Sequence, residues 1–363
     1  IKGRGAVSNP AGRFERLARE ADDDWRSFES QGDDEAGPRL TTHVRAERAK
    51  SLIARNDSPD VPFEQSINPY RGCEHGCIYC YARPTHSWLG MSPGLDFESR
   101  LVAKVNAVEL LRQELAAKRY APKLINLGAA TDAYQPVERE LRITRGLVEV
   151  LADCRHPLSI VTKASLVERD LDLLAPMAAD GLVEVFVSIT TLDPALARLM
   201  EPRCASPERR LRTVRALVEA GVPVGVLVAP IIPFVNEPEI ERIVAAVAEA
   251  GAKSAHYTVI RLPWELTGLF NDWLGAHFPD RAERVLAHIA DMRTAPAEAR
   301  SGRRRFNDAD FATRMKGRGP WAELIRQRFR LAVNRAGLGR AMTPLRSDLF
   351  RPPGLPGAQA SLF

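Results

Sequence analysis

The feature that most constrains this chain is a repeated alternation of short apolar runs and amphipathic helical stretches between residues 104 and 260. Lys123–Leu127, Leu158–Thr162, Val183–Ile189, Val222–Val228 and Ala255–Ile260 are short runs rich in Val, Ile and Leu and are predicted to be strands. Apolar residues at helical spacing predict helices over Lys104–Arg119, Glu138–Asp153, Asp170–Ala179, Pro207–Ala220 and Glu239–Ala250. The last two run into Gly221 and Gly251, the usual helix stop. Strands that alternate with helices become parallel strands joined by right-handed crossovers. A sixth, short strand is placed just before Cys73. Six such βα units build either a doubly wound sheet or a curved partial barrel, and in both the ligands sit at the carboxyl ends of the strands. The candidate site positions are therefore Gly128–Asp132, Thr162–Lys163, Ser188–Thr190, Ala229–Pro230 and Arg261–Pro263.

Outside the alternation the pattern changes. Residues 1–64 are polar and are predicted to be an irregular extension that partly wraps the core, with a solvated loop at Ser30–Pro38. Residues 65–265 carry the βα series. Residues 266–342 form a basic region with helices over Arg281–Met292 and Trp321–Ala336, and the Pro/Gly-rich tail 343–363 is expected to be loose. A hydrophobic content of 45% and a charged content of 27% exclude a disordered chain or a fibre. No apolar run approaches the 18 or so residues of a membrane span, and Ile1–Trp25 has no apolar segment of the secretory type, so a cytoplasmic location without a membrane is expected. The net charge of +5 is unevenly spread: Ala295–Arg335 holds eleven Lys/Arg against four Asp/Glu. A basic region on a near-neutral body points to an anionic partner.

The five cysteines are also uneven. Cys73, Cys77 and Cys80 fall within eight residues, whereas Cys154 and Cys204 stand alone. That clustering fits a reducing compartment and a metal or cluster site rather than a disulfide framework. Zinc sites usually need four ligands. Three thiolates on one loop suit a [4Fe–4S] cluster held at three irons, the fourth left open to a non-protein ligand. A structural zinc, or a redox cluster with no further cofactor, is the alternative. Within the loop, His75 is read as a solvated residue rather than a ligand.

The segment Cys73-Glu-His-Gly-Cys77-Ile-Tyr79-Cys80, a CxxxCxxC with an aromatic before the last cysteine, resembles the signature of the radical S-adenosylmethionine (SAM) superfamily. That family places this loop after the first strand of a partial (β/α)6 TIM-like barrel, in agreement with the alternation above. The resemblance implies Cys73, Cys77 and Cys80 as cluster ligands and SAM chelated at the open iron. It also implies one-electron reductive cleavage of SAM to a 5′-deoxyadenosyl radical, and hydrogen abstraction from a substrate. A cellular one-electron donor such as flavodoxin or ferredoxin would supply the electron. The chain further resembles the spore photoproduct lyase-like branch in its Cys77-Ile-Tyr79-Cys80-Tyr81 core, Thr131-Asp132 and Lys163, and in Gly3–Pro10, Thr131–Glu138 and Arg314–Pro320 it resembles an uncharacterised bacterial group near that branch. One departure matters: the lyase carries a hydrogen-donating cysteine directly before the Ser/Thr-Asp pair, and here that residue is Ala130. Cys204, after the fourth strand, is a weak candidate for a substitute donor. Cys154 is read as a packing residue.

From the resemblance, the strand-end residues take SAM contacts. Tyr79 stands at the aromatic position of the loop, and Gly128 permits close backbone approach. Thr131 or Asp132 would accept from the SAM ammonium, with an N-cap role for Asp132 as the alternative. Lys163 would pair with the SAM carboxylate, Ser188 with a ribose hydroxyl, and Pro230 with its neighbours Ala229 and Ile231 would flank adenine, as would Val259 and Ile260. Glu201 and Arg203 are either site-ordering charges or solvated helix ends. Arg303–Arg305, Arg314, Lys316 and Arg318, with Phe306, Phe311 and Trp321 interleaved, are either a solvated, solubilising face, the commoner case, or candidates for phosphate and base contacts to a nucleic acid. Two other functions stay open at this point: a nucleic-acid-binding module with a structural metal, and an electron-transfer iron–sulfur protein without SAM chemistry.

Overall fold

The structure, a computed structural model, describes residues 3–15, 40–339 and 342–354. Six parallel strands form its centre: β1 (Gln65–Ile67), β2 (Ile125–Leu127), β3 (Leu158–Thr162), β4 (Val183–Ser188), β5 (Val224–Ile231) and β6 (Ser254–Val259). They pair in sequence order, and the two-residue strand Ala54–Arg55 runs antiparallel to β1 on the outer edge. Register runs straight across the sheet: Ile67 faces Leu127, Leu127 faces Ile160, and Ile160 faces Val185. No ladder joins β6 back to β1 among the described residues, so the barrel is partial, as expected from the sequence.

The strands form because their Val, Ile and Leu side chains are shielded by helices. Ile67, Leu127, Ile160, Val185 and Val226 are all fully buried in one core with the inner faces of the helices. The helix Ile240–Glu249 presents Ile240, Ile243, Val244 and Val247 to that core, a spacing of three and four residues. The helix Pro207–Glu219 starts at Ser206, whose hydroxyl accepts from the Arg209 N–H at 3.2 Å, and carries proline at its first position.

Three departures from expectation have physical causes. The helix expected over Glu138–Asp153 is two, Glu138–Leu141 and Ile143–Asp153, separated by Arg142 with φ at +52°. The buried Glu138 carboxylate accepts from the N–H groups of Thr144 at 2.9 Å and Arg145 at 3.2 Å, capping the second helix from within the first. Ahead of the helix Ala107–Leu115 lies a strand, Arg100–Lys104, in a small sheet with His43–Glu47 and Tyr70–Arg71. A helix at Leu266–His277 also escaped the pattern: Gly268 and Gly275 weaken it locally, while burial of Leu266, Phe270, Trp273 and Leu274 holds it.

The flanks pack onto the barrel. Helices Leu266–His277 and Ala282–Arg293 build a second core with Ile78, Tyr79, Met200 and Ile232 beneath the cysteine loop. From the tail, Arg351 N–H donates to the Cys154 carbonyl at 2.8 Å and the Phe350 ring stands 5.6 Å from Tyr120. The predicted loop at 30–38 and the end of the tail, 355–363, lie outside the described residues. Among the described residues no helix is long and apolar enough to cross a membrane.

Candidate active site

The cysteine loop is held by a dense set of distant partners. Arg83, with no exposed surface, spends all five of its N–H donors: on the carbonyls of Cys77 (2.8 Å), Gly76 (3.0 Å), Pro93 (3.2 Å) and Gly94 (2.9 Å), and on the Glu98 carboxylate. Glu98 in turn accepts from the N–H groups of Gly5 at 2.9 Å and Ala6 at 2.8 Å. The Gly3–Ala6 stretch is thereby clamped against the loop, close enough that a Cβ on Gly5 would lie 1.7 Å from the Gly76 carbonyl oxygen. On the other side Glu74 receives Arg203 at 2.9 Å and the Val137 N–H at 2.7 Å, and its own N–H donates to Gln135 at 2.9 Å.

The loop opens on a cavity of about 490 Å³, within the usual range for small-molecule sites. Its wall comprises Cys73, Cys77, Cys80, His75, Tyr79 and Tyr81 from the loop. The carboxyl ends of all six strands add residues that include Ser66, Gly128, Thr131, Asp132, Lys163, Ser188, Pro230 and Arg261. Gly128 has φ at +94°, and a Cβ there would meet the Val161 carbonyl oxygen at 2.6 Å, so this turn needs glycine.

His75 overturns its sequence reading. It is buried, and its Nδ1 lies 3.2 Å from Asp132 Oδ2. Asp132 is filled by the chain itself: Oδ1 accepts from Tyr134 N–H (2.9 Å) and Thr162 Oγ1 (2.8 Å), and Oδ2 from Lys163 N–H (2.7 Å) besides His75. Burial opposes ionisation of this carboxyl, but His75 and these donors outweigh it and hold its pKa at about 2. Thr131 donates to the Tyr70 carbonyl at 3.2 Å, and the turn's N–H groups at Ala130 and Thr131 are met by Asn68. Lys163 points its ammonium at the Tyr79 ring, 5.8 Å from the centroid. Ser188 is buried on the wall, and Pro230 follows a cis peptide bond.

Behind the loop, Glu201 is buried and receives Tyr79 Oη, Thr190 Oγ1 at 2.7 Å and Arg210. Burial, against the pull of Arg210, raises its pKa to about 7. Cys204 is placed here too. Its Sγ lies 3.8 Å from Cys77 Sγ, and it is not among the residues that line the cavity. Cys154 is buried in the main core. The basic run is divided. Lys316 donates to the Tyr257 carbonyl at 2.7 Å, Arg318 pairs with Asp308 at 2.6 Å, and Arg314 grips Asp60 with two bonds, so these cations serve the fold. Arg303 and Arg305 share Glu298 on the surface, Phe306 packs on the second core, and Phe311 lies exposed beneath Arg314.

The three loop cysteines differ in how readily they ionise. A bond from Cys204, with Lys163, His75 and Arg210 nearby, lowers the Cys77 thiol pKa against the effect of burial. Burial and then the neighbouring Cys77 push Cys80 up to about 12. Cys77 is thus the thiol most ready to ionise, whereas Cys80 stays protonated unless a cation beside it favours the thiolate. Of the residues that sequence reasoning missed, Glu98, Asn68 and Gln135 act through bonds to positions 61 to 93 residues away, and Arg83 and Arg210 through buried bonds to nearby carbonyls and carboxylates that no spacing announces.

A parallel partial barrel with a three-cysteine loop over the strand ends is the arrangement expected from the resemblance noted in the sequence. The model of the radical SAM superfamily matches residues 67–247, and this chain belongs to that superfamily. An uncharacterised protein of Mycobacterium tuberculosis is 36% identical over 226 residues, 62% of this chain and 66% of its own, so the match spans just under two thirds of that relative. One from Methanocaldococcus jannaschii is 32% identical over 192 residues, 53% of this chain and 69% of its own. Among solved structures, a point variant of spore photoproduct lyase superposes with a TM-score of 0.55 at 17% identity, over 82% of this chain and 80% of that one. The lyase complexed with dinucleoside spore photoproduct gives 0.53 at 17%, over 80% and 79%. At that identity the likeness is one of fold.

Proposed function

We propose that the protein holds a [4Fe–4S] cluster through Cys73, Cys77 and Cys80, and binds SAM in the adjoining cavity to act on a nucleotide or nucleic acid. Membership of the superfamily makes it an enzyme of SAM-dependent radical chemistry. The observation that carries the finer reading is the position of the loop: three cysteines on the wall of one cavity that also meets the carboxyl end of every barrel strand. When bound, the cluster and SAM supply one-electron cleavage of a carbon–sulfur bond and a radical that abstracts hydrogen. The chain's own residues bind and orient. Lys163 meets the SAM carboxylate beside Tyr79. The Gly128–Thr131 turn lets the cofactor approach the backbone, while Ser188 and Pro230 line the nucleoside side. Asp132, saturated by four donors, works as the post that fixes His75 and the Lys163 backbone rather than as a direct ligand. Ala130 on the cavity wall offers no thiol, so the hydrogen returned to product, if any, comes from elsewhere than in the lyase.

We assign SAM binding to residues 65–265, with 1–64 and 266–342 as flanks that brace the loop, 343–363 as a tail, and a cytoplasmic one-electron donor of the flavodoxin or ferredoxin kind as partner. The test is spectroscopic. Anaerobically reconstituted, reduced protein should bind four irons per chain and give a cluster paramagnetic signal that changes when SAM is added. A signal indifferent to SAM would overturn the cofactor assignment.

A further inference from the structure

Among the described residues, two cations on the cavity wall, Lys163 and Arg261, have no ion pair. His75 is matched by Asp132, and Arg314 by both oxygens of Asp60 at 2.5 and 2.6 Å. Lys163 faces Tyr79 beside the cysteine loop, where the proposed SAM carboxylate would meet it. Arg261, just past β6, is half-buried and makes no ion pair or side-chain hydrogen bond with any described residue. Its guanidinium lies 5.0 Å over the Tyr81 ring. Burial lowers its pKa from the usual arginine value; Tyr81 and Asp60 oppose that effect and Arg314 adds to it.

The surroundings say what kind of anion belongs there. The Val259 N–H donates to the Met315 carbonyl at 2.9 Å, so the segment bearing Arg314 seals the open edge of the barrel beside Arg261. Arg314 lies 4.5 Å over the Phe311 ring, and both Phe311 and Tyr81 are nearly half exposed. Arginine planes alternating with accessible aromatic rings suit a ligand that joins an oxyanion to flat bases. A planar guanidinium with free N–H donors matches a phosphate in geometry as well as charge.

We infer that Arg261 is the anchor for a phosphate of the substrate, a specificity-determining residue that sets a nucleotide against the cofactor. This rests on the SAM-and-nucleotide reading above. The test is calorimetric titration of reconstituted, SAM-loaded protein with a dinucleoside monophosphate and with its uncharged methylphosphonate analogue. The wild-type chain should prefer the charged ligand by about 10- to 100-fold, the scale of a charge-assisted contact. Arg261→Gln should shrink that preference to threefold or less, Arg261→Lys should keep an intermediate one, and iron content should stay unchanged in both. If Arg261→Gln keeps the wild-type preference, the anchor is overturned while the nucleotide reading stands. If the wild-type chain binds neither ligand, that reading falls and takes the anchor with it. If Arg261→Gln instead loses SAM affinity tenfold, Arg261 holds the cofactor carboxylate and the inference is wrong.

Discussion

Replacing Arg83 by leucine tests how the cysteine loop is held. The side chain is fully buried and donates to four carbonyls and to Glu98, and its plane lies 5.3 Å over the Phe97 ring. Leucine fills much of the volume but removes every donor. Four carbonyls lose a partner, two of them in the loop at Gly76 and Cys77, and the Glu98 carboxylate is left buried with only the Gly5 and Ala6 N–H groups. Breaking a buried ion pair from one side costs about 3–5 kcal/mol, and each abandoned buried acceptor adds to that. The whole stability of an ordinary domain is about 5–15 kcal/mol, so this single change removes a large part of it. Anaerobic urea titration followed by tryptophan fluorescence should show a loss of at least about 3 kcal/mol, and reconstitution should yield clearly less than the wild-type iron content. A loss under about 1 kcal/mol with normal iron loading would refute the claim that Arg83 organises the loop.

Three further outcomes are expected. Gly5→Ala puts a methyl group 1.7 Å from the Gly76 carbonyl oxygen, so the N-terminal clamp must lift, and iron should be stripped faster by a chelator; wild-type retention would contradict the clamp. Asp132→Asn replaces an oxygen that accepts with a group that donates, in front of His75 or a backbone N–H, and should lower stability by about 1–3 kcal/mol in the same urea assay. His156 is buried, with Nδ1 3.0 Å from the Pro157 carbonyl oxygen and Nε2 2.7 Å from Tyr120 Oη. Burial depresses its pKa to about 4. The unfolded chain binds this proton near pH 6.5 and the folded one does not, so the stabilisation is complete above pH 6.5 and is lost as pH falls toward 4. The shift amounts to about 1.4 kcal/mol between pH 8 and pH 5.5. That component should vanish from the pH profile of His156→Gln, and its persistence would place the titration elsewhere.

The extent to which the sequence disclosed this molecule follows from the range of the interactions involved. Strands β2 to β6 were legible because burial demands unbroken apolar runs, and the cysteine loop because its spacing is local. The helix at Leu266–His277 was not, since its own glycines argue against it and only burial of Trp273 and its neighbours settles the matter. His75 reads as a polar loop residue until the fold brings Asp132, 57 positions away in sequence, to within 3.2 Å of it. The basic run reads as a solvated face or a ligand surface until Arg314 meets Asp60, which lies 254 residues earlier. Arg261, by contrast, sat in a predicted strand-end position, but its lack of a counter-ion is a fact of three dimensions. Local periodicity reports which face of an element is buried; it does not report which distant group satisfies a buried charge.

The central claim is that Cys73, Cys77 and Cys80 arm a SAM-cleaving centre in this cavity. Its most direct test is to incubate anaerobically reconstituted protein with SAM and dithionite and to quantify 5′-deoxyadenosine by chromatography. The account requires 5′-deoxyadenosine from the wild-type chain and none from Cys77→Ala. A chain loaded with four irons that leaves SAM intact, or a Cys77→Ala variant that still cleaves it, would contradict it.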